Sequence, residues 1–178
     1  MGGIIRKEGA FLVKKGHFEK NFLSGVLFLY LLLFFPVILR KRPIKVWIYV
    51  YLMNAITNGF LDKLLVKYKI ITYPVRLFPN KVKINVLFDF LVYPLFTVLF
   101  NQITLKDRPF LILRKLFLFM GPMYFLEHWA VQKTNLIKWH KGWKGYHSFF
   151  SLTIKSLISR LFIELFRRIR KNRGLFQD

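Results

Sequence analysis

Phe22-Leu23-Ser24-Gly25-Val26-Leu27-Phe28-Leu29-Tyr30-Leu31-Leu32-Leu33-Phe34-Phe35-Pro36-Val37-Ile38-Leu39 carries no charged side chain and is stopped by Arg40-Lys41-Arg42. Wound as a helix, a run of that length covers about 27 Å, close to the thickness of a bilayer's hydrocarbon core. A cleaved signal peptide would begin earlier and end on small residues, and this run does neither. It reads as a membrane span.

The composition of the rest supports that reading. Of 178 residues, 54% are hydrophobic and 21 are Phe, yet Lys and Arg number 30 against 8 Asp and Glu, a formal charge of +22. A basic disordered chain would lack the aromatics, and a soluble domain of this length would carry less apolar surface. An integral membrane protein with its charges in short loops satisfies both counts. The basic excess selects an anionic partner, and lipid headgroups are the nearest anions, attracting each juxtamembrane Lys or Arg by roughly 1 kcal/mol. Nucleic acid is not expected, because the basic residues interrupt apolar runs instead of forming one patch. Cysteine is absent, which removes disulfides, thiolate metal sites and cysteine nucleophiles.

Further spans follow at about 46–61, 84–105 and 109–131. Pro43 suits the first turn of the second. Residues 1–20 read as a juxtamembrane segment at the interface, and 62–83 as a connector with a short interfacial helix, broken by Pro74 and Pro79. Lys106-Asp107-Arg108-Pro109 reads as a tight turn. Arg114 and Lys115 can snorkel from the fourth span, and Gly121-Pro122 should kink it. Residues 132–146 form a polar loop, in which Trp139 and Trp143, with Trp129 before them, suit an aromatic belt. Residues 147–168 have the length of a span but an amphipathic pattern: Phe150, Ile154, Leu157, Ile158, Leu161 and Leu165 on one arc, Lys155, Ser156, Ser159, Arg160 and Glu164 on the other.

Loop charge decides between four spans and five. With the N-terminus inside and four spans, the inner segments hold 22 of the 30 Lys and Arg and the outer ones 8; with five spans the division is 15 and 15. The expectation is therefore an all-α bundle in one domain over 1–178, with four spans between 22 and 131 and a cytoplasmic amphipathic helix at 147–168. A fifth span is the alternative. No internal repeat and no second domain is visible.

Several motifs together carry a resemblance: Tyr73-Pro74-Val75-Arg76-Leu77-Phe78-Pro79, Asn85-Val86-Leu87-Phe88-Asp89-Phe90, Tyr93-Pro94, Asn101-Gln102, Glu127-His128-Trp129, Lys133-Thr134-Asn135-Leu136-Ile137-Lys138, Gly142-Trp143 and Ser148-Phe149. Over roughly residues 60–165 the chain resembles an uncharacterised family of small multi-pass membrane proteins of endospore-forming Gram-positive bacteria. The resemblance implies a bacterial plasma-membrane protein and supplies no activity.

Polar residues within spans are costly, roughly 2.5–3.5 kcal/mol for a charge at bilayer depth, so each needs a partner or a purpose. Asn54, Asn58 and Asp62 lie four apart on the second span, and Asn85, Asp89, Tyr93, Thr97 and Asn101 four apart on the third. Both stripes can face the bundle interior, joined by Glu127 and His128 from the fourth. For Asn and Thr, interhelical hydrogen bonding is the stronger reading; Asp89 and Glu127 read equally well as structural or functional. The candidate intramembrane site is thus Asn54, Asn58, Asp89, Tyr93, Asn101, Glu127 and His128. Candidate contacts to anionic lipid are Lys155, Arg160, Arg167, Arg168, Arg170, Lys171 and Arg173. No metal site or cofactor is expected, since of four histidines only His128 lies in a clear span. No nucleophile with a base, phosphate loop or serine elbow is present, so an enzyme is not expected. Two functions stand: a non-enzymatic protein binding lipid or a partner through a basic cytoplasmic face, and a small transporter or channel component using intramembrane acids. Either is compatible with a homo- or hetero-oligomer.

Overall fold

In the computed structural model the chain is mostly helical, 77% in five helices. The described residues are 2–78 and 82–172 for the backbone, with side chains described over 17–78 and 82–168. Helix α1 runs Gly2–Leu39, α2 Ile44–Lys67, α3 Tyr93–Ile103, α4 Pro109–Lys133 and α5 Gly145–Asn172. A π-helical segment, Leu87–Val92, leads directly into α3. Two residues of strand, β1 (Ile71–Thr72) and β2 (Lys138–Trp139), pair antiparallel with Ile71 opposite Trp139.

Among the described residues, two helical stretches are long and apolar enough to cross a membrane, His17–Leu39 and Pro109–Lys133. Only 17% and 11% of their apolar windows are buried, so neither is the core helix of a soluble fold. The interface expected at residues 1–20 is not marked by a break, because α1 is continuous through it. Likewise α2 runs on to Lys67, taking up the interfacial helix expected in the connector. Pro122 sits inside α4 without ending the helix.

The connections gather at two ends of the bundle. At the near end, residues 68–78 and 134–144 form a strap over the helices. His140 N donates to Ile70 O at 2.8 Å and Val75 N to Asn135 O at 3.2 Å, extending the short β pairing on both sides. Ile71, Tyr73 and Ile137 form a small apolar core beneath it. The carboxylate of Glu19 on α1, 1% exposed, accepts from the Asn135 amide and ties the strap to the first helix. At the far end, Lys41 Nζ donates to Gln102 O at 2.6 Å and Gln102 Nε2 to Val37 O at 2.9 Å, joining the ends of α1 and α3. Between the ends, Val37, Val46, Trp47, Val50, Leu95, Val98 and Ile163 make one core, and Phe100, Leu116 and Met120 another between α3 and α4.

Helix α5 is packed opposite to the way a helix lies on a membrane surface. Its polar arc is inside: Ser156 is 1% exposed, Ser159 2% and Arg160 5%. Most of its apolar arc is outside, with Ile154, Ile158, Leu161 and Leu165 each more than half exposed. In water this arrangement would expose the surface that the hydrophobic effect should bury. In lipid it is the favourable one, because polar groups find partners only in protein.

Candidate functional site

The π-helical segment has a sequence cause. Pro94 has no N–H, so the carbonyls one turn before it lose their helical donor. The exposed ends of that ladder are Asp89 O and Phe90 O. Side chains of α2 supply the missing donors: Asn58 Nδ2 reaches Asp89 O at 3.2 Å, and Tyr51 Oη reaches Phe90 O at 2.7 Å. Tyr51 is held in turn by Tyr30 Oη of α1 at 2.8 Å. Gly59 allows the approach, since a Cβ there would stand 2.3 Å from the Phe90 ring. Local π-helical winding recurs at functional sites, and here it brings Asp89 against α2.

The acids converge at the near end. The carboxyl groups of Asp62 and Asp89 are in hydrogen-bond contact, and Lys155 of α5 lies within electrostatic range of both. The Lys155 ammonium sits over the Tyr93 ring, 5.2 Å from its centre. Tyr73 Oη, descending from the strap, donates to Asp62 Oδ1 at 2.7 Å. Burial pushes the Tyr73 phenol well above its usual range, and the carboxylates of Asp62, Asp89 and Glu127 around it add to the shift. The phenol therefore stays a donor. Glu127 accepts from Ser148 Oγ at 2.7 Å and from Trp139 Nε1 at 3.3 Å, which couples α4 to α5 and to the strap. His128 makes no hydrogen bond to these acids, its ring lying 6.2 Å from that of Trp139. It stacks on Tyr124 at 5.8 Å and meets Gln132 Nε2 at 2.7 Å.

From the acids a polar column follows the inner face of α5. Tyr93 Oη meets Ser156 Oγ at 3.1 Å and donates to Leu152 O at 3.1 Å. One turn on, Ser159 Oγ accepts from Asn54 Nδ2 at 3.1 Å and from Asn101 Nδ2 at 3.3 Å, joining α2, α3 and α5. At the far end Arg160 donates to the carbonyls of Thr104 and Leu105, both at 3.2 Å, and pairs with Glu164 at 3.3 Å. Arg167 reaches Leu105 O at 3.0 Å.

The structure thus brings Asn54, Asn58, Asp89, Tyr93 and Asn101 onto one internal face, places Glu127 at its near end, and leaves His128 beside it. Of the residues expected at anionic lipid, Arg160 is enclosed with both terminal guanidinium nitrogens hydrogen-bonded, and Lys155 belongs to the acid cluster. Arg167 is half-buried. Arg168 is outward, its side chain 76% exposed. The side chains of Arg170 and Lys171, and all of Arg173, lie outside the described residues. Sequence reading passed over Glu19 and Tyr73, and counted Asp62 in a stripe without naming it a site residue. The i, i+4 spacing from Asn58 was the available signal for Asp62. Comparison with protein-family models, curated proteins and solved structures finds no match.

Proposed function

We propose that this chain is a five-span protein of the bacterial plasma membrane that acts as a small transporter or channel component, with its path between α2, α3 and α5. The observation that carries the reading is the inverted packing of α5. Its Lys155, Ser156, Ser159 and Arg160 turn toward the bundle, and its apolar arc turns away. A helix so arranged is suited to crossing lipid, and the same turn creates an internal polar column with acids at one end. Discontinuous or distorted helices beside intramembrane polar groups are how transporters build ion and substrate sites. The π-helical lead into α3 supplies such a distortion at Asp89. The family resemblance of residues 60–165 supports the bacterial plasma membrane.

With Lys155 and Arg160 inside the bundle, five spans leave 15 loop cations on the N-terminal side and 13 on the other. With the same two residues left out, four spans would divide the loop cations 20 to 8, so it is the packing of α5 and not loop charge that favours five. A second reading, binding of anionic lipid through a basic face, retains support from Arg168, which lies at the far end of α5 and faces outward.

Two measurements test the proposal. The chain has no cysteine, so single substitutions report sidedness cleanly with an impermeant thiol reagent. Arg168→Cys should label from the same side as Lys106→Cys and the opposite side from Lys141→Cys. Labelling of Arg168→Cys together with Lys141→Cys would return α5 to the surface. In proteoliposomes, the protein should dissipate an imposed proton or sodium gradient faster than empty vesicles, and Asp89→Asn should not. A wild-type rate equal to that of empty vesicles refutes the transport reading.

A further inference from the structure

An apolar groove of about 200 Å³ runs between α1 and α3. Val26, Leu29, Leu33 and Val37 recur every three or four residues on α1 and so share one face, and Leu95 and Leu99 line the groove from α3. Among the described residues its wall holds one polar side chain, Tyr30, whose hydroxyl is bonded to Tyr51 Oη at 2.8 Å. Val37 and Leu95 are buried, while Leu29 and Leu33 stand at the rim, 54% and 45% exposed. Helix α4 packs on α3 through Phe100, Leu116 and Met120, none of which lines the groove.

The groove ends among cations. Val37 lines it, Gln102 Nε2 donates to the Val37 carbonyl at 2.9 Å, and Gln102 O accepts from Lys41 Nζ at 2.6 Å, which sets the Lys41 ammonium at its mouth. An ammonium carries three donors, and Gln102 takes one of them. Arg40 and Arg42 flank Lys41 in sequence and are exposed. Among the described residues none of these three cations makes an ion pair. The acids at this end are held elsewhere, Asp107 by Lys115 and Glu164 by Arg160, Arg167 and Arg168.

We infer that this groove binds one acyl chain of a phospholipid whose negatively charged headgroup rests on Arg40, Lys41 and Arg42. The inference requires α1 to cross the membrane, as proposed above, and does not depend on transport. Length supports it. From Val26 to Val37 a helix rises about 16 Å, and one leaflet fills half of a hydrocarbon core of about 30 Å. Val37 stands just before the cations that end the span, so a chain entering there runs from headgroup level toward the bilayer centre. Chemistry supports it as well. The wall offers a polar solute no partner, because its one hydroxyl is already bonded, while cations at headgroup level attract anionic lipid. A helix of about 10 Å diameter is too thick for so slender a space. The site is separate from the outward face of α5 that carries Arg168, because no residue of α5 lines the groove.

The test is native mass spectrometry of the full-length protein released from detergent micelles, titrated with dioleoyl phosphatidylglycerol, dioleoyl phosphatidylcholine or glycerol 3-phosphate. One phosphatidylglycerol should bind about tenfold more tightly than phosphatidylcholine, and glycerol 3-phosphate, which has the charge without the chains, should not displace it. Leu33→Trp fills the groove from its rim at unchanged charge and should weaken phosphatidylglycerol by about tenfold, the cost of excluding two methylenes. Arg40→Gln with Arg42→Gln should bring phosphatidylglycerol to the level of phosphatidylcholine. Arg168→Gln, and Leu118→Trp on the exposed face of α4, should stay within about twofold of wild type. Should Leu33→Trp not fold, Leu29→Trp takes its place at the more exposed rim position. Equal affinity for the two lipids, displacement by glycerol 3-phosphate, binding that survives the groove substitution, or a loss confined to Arg168→Gln overturns the site. A dimer that Leu33→Trp dissociates, with no lipid retained, gives the groove to a second copy of the chain and overturns the lipid. Gradient dissipation is a separate readout: lipid binding without flux removes the transporter and leaves the groove, and flux without lipid binding does the reverse.

Discussion

Replacing Arg160 by Met tests whether α5 turns its polar face inward, because the substitution keeps the length of the stem and removes the charge and all five donors. In the fold, Arg160 is 5% exposed, and its guanidinium holds two carbonyls at the end of α3 and one carboxylate. Hydrogen bonds to charged groups contribute about 1.5–3 kcal/mol each. Measured values for side-chain bonds within membrane proteins are lower, averaging about 0.6 and reaching about 1.7. Three such bonds, less the relief of leaving a guanidinium undesolvated, give a loss of about 2–4 kcal/mol. Arg160→Lys keeps the charge but not the fork that spans both carbonyls, so it should lose roughly half as much. The assay is reversible unfolding in mixed micelles with added SDS, followed by far-ultraviolet circular dichroism. If α5 lay on the surface with Arg160 in water, either change would fall within about 0.5 kcal/mol of wild type. A loss that small for Arg160→Met refutes the inward packing and, with it, the column.

The remaining predictions concern the packing around Asp89 and the strap. Gly59→Leu drives a side chain into the Phe90 ring, which a Cβ alone would meet at 2.3 Å, and should cost at least the 1–3 kcal/mol typical of overpacking. Gly25→Ala, with nothing within 4 Å of its Cβ, should be neutral or mildly stabilising in the same unfolding assay. Glu127→Ala deprives Ser148 and Trp139 of their acceptor, and amide exchange at His140 should quicken by about tenfold, consistent with loss of one hydrogen bond to a charged acceptor. Unchanged exchange would mean that Glu127 does not hold the strap. Tyr73→Phe removes one hydrogen bond, worth about 1 kcal/mol. Because the Tyr73 phenol is raised from its usual value near 10, its contribution is present below about pH 10 and fades as pH rises toward its folded value. The alkaline loss of stability in wild type should therefore be smaller in Tyr73→Phe.

What the sequence disclosed depended on whether a pattern has one physical solution or two. Phe22–Leu39, ended by three cations, has one, and among the described residues α1 and α4 contain the stretches long and apolar enough to cross. The four-residue spacing of Asn54, Asn58 and Asp62, and of Asp89, Tyr93, Thr97 and Asn101, places each set on one helix face, and those faces do meet. The amphipathic pattern of α5 has two solutions. A surface helix and an inverted one share the same period, and only the neighbours decide which face is buried. The loop count favoured four spans chiefly through Arg167, Arg168, Arg170, Lys171 and Arg173, which follow α5 and change sides with it. The two-residue strands were not readable, since pairing so short is imposed by the strap and not by its own propensity. The distortion ahead of α3 did leave a signal, because Pro94 inside an apolar run requires the carbonyls before it to find other donors.

The column itself divides into a part that packing explains and a part that it does not. Ser156 and Ser159 are small, so they let α5 approach α2 and α3 closely, and their hydroxyls join the helices. Asn54 and Asn101 meet on one hydroxyl from two sides, which fixes the rotation of three helices at once. Arg160 closes the end of α3. All of these would be found in a bundle selected only to fold. The near end differs. Two carboxyl groups in hydrogen-bond contact are costly to bury beside a lysine, and a purely structural protein would gain by replacing Asp62 and Asp89 with Asn or Leu. Tyr73 donates to the Asp62 carboxylate, and Asn58 donates to the backbone carbonyl of Asp89. The acids Asp62 and Asp89 and the Lys155 ammonium come together where α2, α5 and the distorted lead into α3 meet beneath the strap, and that is where function is to be sought.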